Sequence, residues 1–188
     1  MPRKFLLTLL VIFIILFSGY LLPEPFTAPV KGAKRNSYDE RSFWSYPWGK
    51  SVTHKGVDVF ARRGTPALSA VPGIVVFKGH VNMGGNVVLV LGPKWRLHYY
   101  AHLDSIGTCT GSWLSLGEQL GTVGNNGNAK GKPSHLHYAI RRLLPAPWLN
   151  SEGPHGSRRM WFVDPTPLLD QATSTWSAME SVGPVAKC

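Results

Sequence analysis

The chain has 188 residues, enough for one domain of ordinary size with appended segments, and 20 basic against 10 acidic side chains give it a formal charge of +10. Apolar residues make up 44% of the chain and charged residues 16%, which excludes a wholly disordered protein. The 20 glycines and 15 prolines argue against a helical bundle, and two cysteines are too few for a disulfide scaffold or a four-thiolate zinc knuckle.

Residues 1–22 predict a transmembrane segment. Arg3 and Lys4 precede 18 residues, Phe5 to Leu22, that carry no charge. Crossing the hydrocarbon layer takes about 17–25 residues, and no A-x-A pattern of small residues marks a cleavage site at the end of this run. We therefore expect an uncleaved N-terminal signal anchor, with a cleaved secretory signal as the alternative. The rest of the chain would lie on the periplasmic or extracytoplasmic face of the cell envelope, or be secreted if the segment is removed.

The exported part is also basic. After residue 22 it keeps 18 basic and 10 acidic side chains. Such a surplus suits an anionic partner such as nucleic acid, acidic lipid or a cell-wall polymer. The basic residues are dispersed, with pairs such as Arg62-Arg63 as the longest runs, and an exported domain seldom meets nucleic acid. We expect no nucleic acid partner; a basic surface without a specific partner is the alternative.

The remaining chain divides into a linker, a strand-rich domain and a tail. Residues 23–45 are polar and contain several prolines, which predicts a linker, and residues 46–170 form the domain. Runs of β-branched residues bounded by glycine predict strands at 73–77 and 86–91. Residues 96–103 alternate, which puts His98, Tyr100 and His102 on one face. The Ser/Thr-rich residues 171–188 are predicted to be a flexible tail.

Three patterns among the seven histidines suggest a metal or acid–base site. His54 and Asp58 are four residues apart, about 13 Å on an extended strand, so two ligands of one metal would need a bend at Lys55-Gly56. His135 and His137 share one face of a predicted strand. Tyr100-Ala-His102 ends the alternating strand. Each pattern alone is weak, because surface or packed residues produce the same spacing.

Together these patterns resemble the lysostaphin/LytM-type zinc endopeptidases, which cut peptidoglycan. The resemblance covers roughly residues 48–169 and rests on His54-x-Gly-Val-Asp58, Tyr100-Ala-His-Leu103 and His135-Leu-His137. The neighbouring sequence also resembles the family, at Gly64-Thr-Pro66, Ala70-Val-Pro-Gly73, Gly85-Asn86, Gly121-Thr-Val-Gly124-Asn-Asn-Gly127 and Asp164-Pro165. Ser134 stands where the family often has proline. Residues 143–161 look like an insertion beside the groove, which puts substrate choice in question.

The resemblance implies a mainly β fold, with antiparallel sheets forming a groove as in the duplicated hybrid motif. It implies that His54, Asp58 and His137 bind one zinc ion, and that His102 and His135 act in acid–base catalysis or stabilise the transition state. Three protein ligands leave a fourth position for water, as in catalytic zinc sites. The family pattern gives His98 no role, so a supporting or solvent-exposed position is expected for it. Tyr100 is expected either to hydrogen-bond to the reaction centre or only to pack.

The predicted function is hydrolysis of peptide cross-links or stem peptides of peptidoglycan by a zinc endopeptidase held in the membrane through its anchor. One alternative is a non-catalytic regulator or wall-binding module of the same fold, and another is a zinc peptidase acting on a secreted peptide. The bond cleaved, the division of roles between His102 and His135, a disulfide between Cys109 and Cys188, the oligomeric state and regulation stay open.

Overall fold

The structure is a computed structural model that describes residues 3–175. Helix α1 spans Arg3–Leu21 and helix α2 spans Thr166–Thr175. The strands are β1 Val57–Phe60, β2 Pro66–Leu68, β3 Gly73–Val81, β4 Gly85–Gly92, β5 Arg96–Ile106, β6 Trp113–Leu114, β7 Gln119–Val123, β8 His135–Arg142 and β9 Phe162–Val163.

The nine strands of the described residues join one sheet, and every pairing in it is antiparallel. The main path runs β1-β8-β5-β4-β3-β6, with β7 paired to β5 and β2, and β9 paired to β8. The long central strands β4, β5 and β8 supply alternating apolar side chains to the core, in which Val88, Val90, Tyr100, Tyr138 and Ile140 are fully buried. The prediction of a mainly β, antiparallel fold is therefore confirmed.

The strand register sets the distance between the two ends of the sheet. Arg96 at the start of β5 pairs with Arg142 at the end of β8, and Ala101 pairs with His137 five residues along β8. At about 3.4 Å per residue, these two pairs lie about 17 Å apart. We call the end at Arg96 and Arg142 the anchor end, because helix α1 contacts the protein there.

Helix α1 packs against the hairpin that joins β4 to β5. The indole Nε1 of Trp95 donates a 2.8 Å hydrogen bond to the carbonyl of Leu16, and a Cβ added at Gly19 would lie 2.1 Å from that nitrogen. Glycine therefore lets the indole lie directly on the helix backbone. Most other side chains of α1 are exposed, and the helix is long and apolar enough to cross a membrane, a property that signal sequences share.

The predicted linker differs from the structure, because much of residues 23–45 packs on the domain. Ala28, Val30 and Tyr38 are buried, and Val30 forms a bridge with Ala67 of β2. The Tyr38 hydroxyl donates a 2.6 Å hydrogen bond to Asp170 of α2. Phe26, Ala28 and Val30 alternate in sequence, and this strand-like signal was hidden by the surrounding prolines and charges.

The C-terminal tail also differs in part from its prediction. Helix α2 continues to Thr175, so the first five residues of the predicted tail are helical. Residues 176–188 lie outside the described residues, and with them Cys188. Cys109 is disulfide-bonded, and no cysteine in the described part of the chain is free.

Candidate metal centre

Three predicted ligands converge at one face of the sheet. Asp58 on β1 and His137 on β8 are directly paired across the two strands, so their side chains point to the same side. His54 lies just before β1. Between His54 and β1, the backbone at Gly56 passes close to Tyr138 and to the His137 ring. A Cβ on Gly56 would lie 2.5 Å from the carbonyl oxygen of Tyr138 and 2.9 Å from the His137 ring. The bend predicted at Lys55-Gly56 therefore requires glycine at position 56, because any side chain there would clash with these atoms.

The distances among these side chains fit a small divalent cation. His54 Nε2 lies 3.2 Å from Asp58 Oδ1 and 3.1 Å from His137 Nδ1, and His137 Nδ1 lies 2.8 Å from Asp58 Oδ1. Ligands about 2.0–2.1 Å from a tetrahedral zinc ion are about 3.3 Å apart. Two imidazoles and one carboxylate are also ordinary ligands of zinc. The three residues thus have the spacing and the chemistry of a metal centre.

The His54 ring is fixed from two sides. Its Nδ1 donates a 2.9 Å hydrogen bond to the carbonyl of Ser42, which leaves Nε2 with a lone pair toward Asp58 and His137. Trp48 stacks on the ring with 4.2 Å between centroids and 23° between planes. The segment before β1 therefore orients this ligand as well as covering it, and His54 is only 2% exposed.

The electrostatics of the three residues favour an ionised carboxylate. Burial raises the pKa of Asp58, but the adjoining His137 and His54 rings outweigh that effect and hold the pKa below the usual range of a carboxyl. Burial lowers the pKa of His137, with the Asp58 carboxylate opposing that change. A charged Asp58 and a neutral His137 are the protonation states in which these groups bind metal.

His102 and His135 lie beside the three residues and face each other. Their ring centroids are 5.1 Å apart, and His135 Nε2 lies 3.8 Å from Asp58 Oδ2. His102 Nδ1 donates to the carbonyl of Asn126 at 2.9 Å, and His135 Nδ1 donates to the carbonyl of Pro133 at 2.8 Å. With both Nδ1 atoms occupied in this way, each ring keeps an Nε2 lone pair that can accept a proton.

The protonation state of His102 suits a proton acceptor. Burial, followed by repulsion from His137 and His135, lowers the pKa of His102 to about 4. The imidazole is therefore neutral at pH 7. A neutral ring with a free lone pair can take a proton from water or from a substrate group within hydrogen-bonding distance.

His102 reaches this face because β5 is irregular there. Simple alternation puts His102 on the side of His98 and Tyr100, which is the buried core. His102 instead has a φ of 64°. The pairing of β5 with β4 shifts register between Tyr100 and Leu103, and its pairing with β7 shifts register just after Leu103. This bulge turns the imidazole toward His135 and His137. The shared face predicted for the three residues is thus correct for His98 and Tyr100 and wrong for His102.

Tyr100 packs in the core, and Tyr99 lies at the metal centre. The Tyr100 hydroxyl accepts a 2.8 Å hydrogen bond from the Ala70 amide, which leaves the packing alternative for this residue. The Tyr99 ring meets the His137 ring edge to face at 6.2 Å. Tyr99 pairs with Ala139 of β8, which lies two residues after His137. This neighbourhood can be predicted only when the register of the two strands is known. Sequence reasoning therefore missed Tyr99.

His98 is buried far from the metal centre and is not solvent-exposed. Its Nδ1 lies 2.7 Å from the Tyr138 hydroxyl, and its Nε2 lies 3.6 Å from Glu24 Oε1. Glu24 pairs in turn with Arg96. Burial, with a contribution from Arg96, lowers the pKa of His98 to about 3, so the ring is neutral. This cluster joins the chain after α1 to the anchor end of β5 and β8.

An open cavity of about 560 Å³ lies beside Trp48. One wall comes from the segment before β1 and the other from the turn after β3 and the glycine-rich loop before β8. The lining residues are Pro47, Trp48, Gly49, Ser51, Asn82, Met83, Gly127, Asn128 and Lys132. Trp48 lines this cavity and also stacks on His54, so one wall of the cavity adjoins the metal centre.

The antiparallel sheet and the histidine motifs indicate the family of lysostaphin-type peptidases. Residues 52–151 match the model of Peptidase family M23, and the chain belongs to that family. The catalytic domain of lysostaphin from Staphylococcus simulans superposes with a TM-score of 0.54 at 26% identity, covering 67% of this chain and 86% of that domain. The predicted family and its fold are therefore confirmed.

Two relatives have activities in their names. The chain is 35% identical over 88 residues to the DD-carboxypeptidase/endopeptidase Mpg of Neisseria meningitidis, covering 47% of this chain and 20% of Mpg. It is 32% identical over 90 residues to the peptidoglycan DD-endopeptidase ShyC of Vibrio cholerae, covering 48% of this chain and 20% of ShyC. The matched region thus spans about a fifth of the length of these relatives.

Proposed function

We propose that this protein is a zinc-dependent endopeptidase that hydrolyses peptide bonds of peptidoglycan in the cell envelope. The observation that carries the proposal is the convergence of His54, Asp58 and His137, whose ligand atoms all lie within 4.8 Å of one another, beside two further histidines. Membership of a peptidase family with peptidoglycan endopeptidases among its relatives supports the substrate. The basic surplus of the chain suits the anionic wall.

In this proposal His54, Asp58 and His137 hold the zinc ion. Bound zinc would polarise a carbonyl oxygen and lower the pKa of a water ligand to about 7, which would supply a nucleophile at neutral pH. The carbonyls of Ser42, Asn126 and Pro133 fix the rings of His54, His102 and His135, so little reorganisation is needed when substrate binds.

His102 and His135 transfer the protons that the proposed hydrolysis requires. A neutral imidazole with its lone pair toward the centre accepts the proton of the attacking water, and the leaving amine needs a proton before the peptide bond breaks. The two facing rings can divide these tasks, or one can hydrogen-bond to the oxyanion while the other moves the proton. Both arrangements require the rings to stay within a few ångströms of Asp58 and His137.

The proposed location is the outer face of a membrane, with α1 as the anchor. The helix has the length and composition of a membrane span, and its side chains are largely exposed. Substrate would enter along the cavity beside Trp48. Relatives named as DD-endopeptidases favour a stem-peptide cross-link as the bond that is cut.

The decisive experiment is digestion of purified peptidoglycan by the full chain in detergent, with new amines counted and products identified by mass spectrometry. His135→Ala should reduce the rate by about 10²–10⁴-fold, the usual contribution of an acid–base residue, while one zinc per chain is retained. His54→Ala should lose both zinc and activity. His80→Ala is the matched control, because His80 is an exposed histidine on β3, and it should match the parent.

A different outcome would favour a non-catalytic role. If the folded, zinc-loaded parent releases no amine from any type of wall, the enzyme assignment fails and a regulatory or wall-binding role replaces it. If the parent releases amines and His135→Ala releases them equally fast, the peptidase assignment stands but the role of His135 is wrong.

A further inference from the structure

A run of apolar side chains, residues 143–149, is exposed at the start of the insertion. Trp148 is 81% exposed, and Leu143, Leu144 and Leu149 are 43%, 42% and 37% exposed. We call this run the apolar loop. Large apolar side chains that lie together on the surface mark a contact site, because leaving them in water is unfavourable.

Backbone hydrogen bonds hold the apolar loop in the conformation that exposes its side chains. Residues Pro147–Leu149 form a short 3₁₀ turn, in which the Leu149 amide donates a 2.9 Å hydrogen bond to the Ala146 carbonyl. Ala146 is buried, and its own amide donates at 3.0 Å to the Met160 carbonyl. The loop is therefore fixed to the domain through Ala146, while Trp148 points away from it.

The base of the apolar loop adjoins helix α1. The Leu143 amide donates a 2.9 Å hydrogen bond to the Trp95 carbonyl, and the indole of the same Trp95 donates to Leu16 of α1. A single residue thus connects the loop with the last turns of the helix. In a helix that crosses a bilayer, those turns lie where hydrocarbon gives way to headgroups, the depth at which tryptophan is enriched.

The charges around the apolar loop are mostly positive. Residues 141–159 contain four arginines and one acidic residue, Glu152. The Arg141 guanidinium lies 5.0 Å from the centroid of the Trp161 ring, and the adjacent Arg142 is the last residue of β8, at the anchor end. Arginine next to exposed tryptophan and leucine fits the surface of an anionic bilayer, where basic groups meet headgroups and apolar groups enter beneath them.

We propose that the apolar loop is a second membrane contact, which enters the headgroup region of the bilayer that holds α1. Trp148, Leu144 and Leu149 supply the inserted apolar surface, and the flanking arginines bind anionic phospholipid headgroups. The inference rests on the membrane anchor of the proposed function. A bilayer fits better than a protein partner, because the loop lies one hydrogen bond from the residue that contacts the anchor helix.

The test uses the full chain reconstituted into vesicles of phosphatidylcholine and phosphatidylglycerol, with or without brominated lipids that quench tryptophan on contact. Subtracting the emission of Trp148→Phe from that of the parent isolates Trp148. We expect this difference signal to be blue-shifted and to lose most of its intensity with brominated lipid, and to be quenched less in vesicles without phosphatidylglycerol. Trp148 is so exposed that phenylalanine should leave the fold unchanged.

Trp48→Phe is the control, because Trp48 stacks on His54 at the metal centre, about 17 Å along the strands from the anchor end. Its difference signal should not respond to brominated lipid. If the chain floats with the vesicles but the Trp148 signal stays unquenched, the loop faces water or a protein and the proposal is overturned. If the chain does not float at all, the anchor fails together with the proposal. Quenching in a chain that releases no amines from peptidoglycan would support the membrane contact and reject only the enzyme assignment.

Discussion

At the scale of single residues, the metal centre depends on positions where neighbouring atoms leave no space for a side chain. Gly56 is the clearest case, because the Tyr138 carbonyl and the His137 ring both lie within 3 Å of where its Cβ would be. The His54-x-Gly-Val-Asp58 pattern therefore combines two predicted ligands with the residue that lets the chain pass close to the third. A side chain at position 56 would compete for space with the His137 ring.

Gly56→Ala should weaken both stability and zinc binding. The added methyl group meets backbone at 2.5 Å, and such overpacking costs about 1–3 kcal/mol. Displacement of His137 should lower zinc affinity at least tenfold, which competition with a chromophoric chelator measures. Gly79→Ala is the control, since the three atoms nearest to its added methyl group all belong to the exposed Phe77 ring, which can move aside. Equal zinc affinity in both variants would show that the space around Gly56 does not position His137.

At the scale of elements, the segment before the metal centre is part of the domain. Tyr38 joins it to helix α2 through the hydrogen bond to Asp170, and Asp170 also lies 3.1 Å from Arg35 Nε. Burial, together with the bond to Asp170, raises the pKa of the Tyr38 hydroxyl to about 12, so the hydroxyl remains a donor at any physiological pH. This contact joins the segment that precedes the strands to the helix that follows them.

Tyr38→Phe should loosen the contact between this segment and α2. Losing a hydrogen bond to a charged acceptor costs about 1.5–3 kcal/mol. Hydrogen exchange should rise in peptides that cover α2 and stay unchanged in β5 and β8. Tyr46→Phe removes a hydroxyl from an exposed ring and should leave exchange as in the parent. Unchanged exchange in α2 of Tyr38→Phe would mean that apolar packing alone holds the helix.

Strand β5 shows how far the sequence could predict the fold and the site. Its alternation correctly predicted a strand, and the histidine motifs correctly identified the family. Alternation failed at His102, because a φ of 64° depends on partners elsewhere: the Gly84 carbonyl accepts from the His102 amide and the Asn126 carbonyl accepts from its ring. Tyr99 and the packed residues 26–38 were missed for the same reason, since each depends on which strand lies next to it. The metal ligands and the catalytic pair stay predictions until they are tested.

At the scale of the whole molecule, the peptidase-family domain and helix α1 are in direct contact. Gly19 lies under the Trp95 indole, and Glu24, two residues after Leu22, is buried against Arg96 and His98. The chain between helix and domain therefore has almost no free length. The orientation of the sheet relative to the helix follows from these contacts.

Gly19→Ile should separate the domain from the helix without unfolding either. The isoleucine side chain would occupy the space of the Trp95 indole, whose Nε1 lies 2.1 Å from the Cβ position. In detergent, hydrogen exchange should increase in peptides covering residues 92–98 and 16–24, while hydrolysis of a soluble muropeptide stays at the parent rate. Ser18→Ile places the same side chain on the exposed side of α1 and should change neither. Exchange as slow in Gly19→Ile as in the parent would contradict the contact.

The buried position of Glu24 has a consequence for where the protein can act. If α1 spans the membrane as proposed, the short connection after it would hold the metal centre at a nearly constant height above the lipid. Wall polymer in more distant layers would lie outside that range. Cleavage would then be timed by the arrival of new polymer at the membrane surface, and lengthening the chain between Leu22 and Glu24 would extend the working radius only if the Glu24 contacts were broken as well.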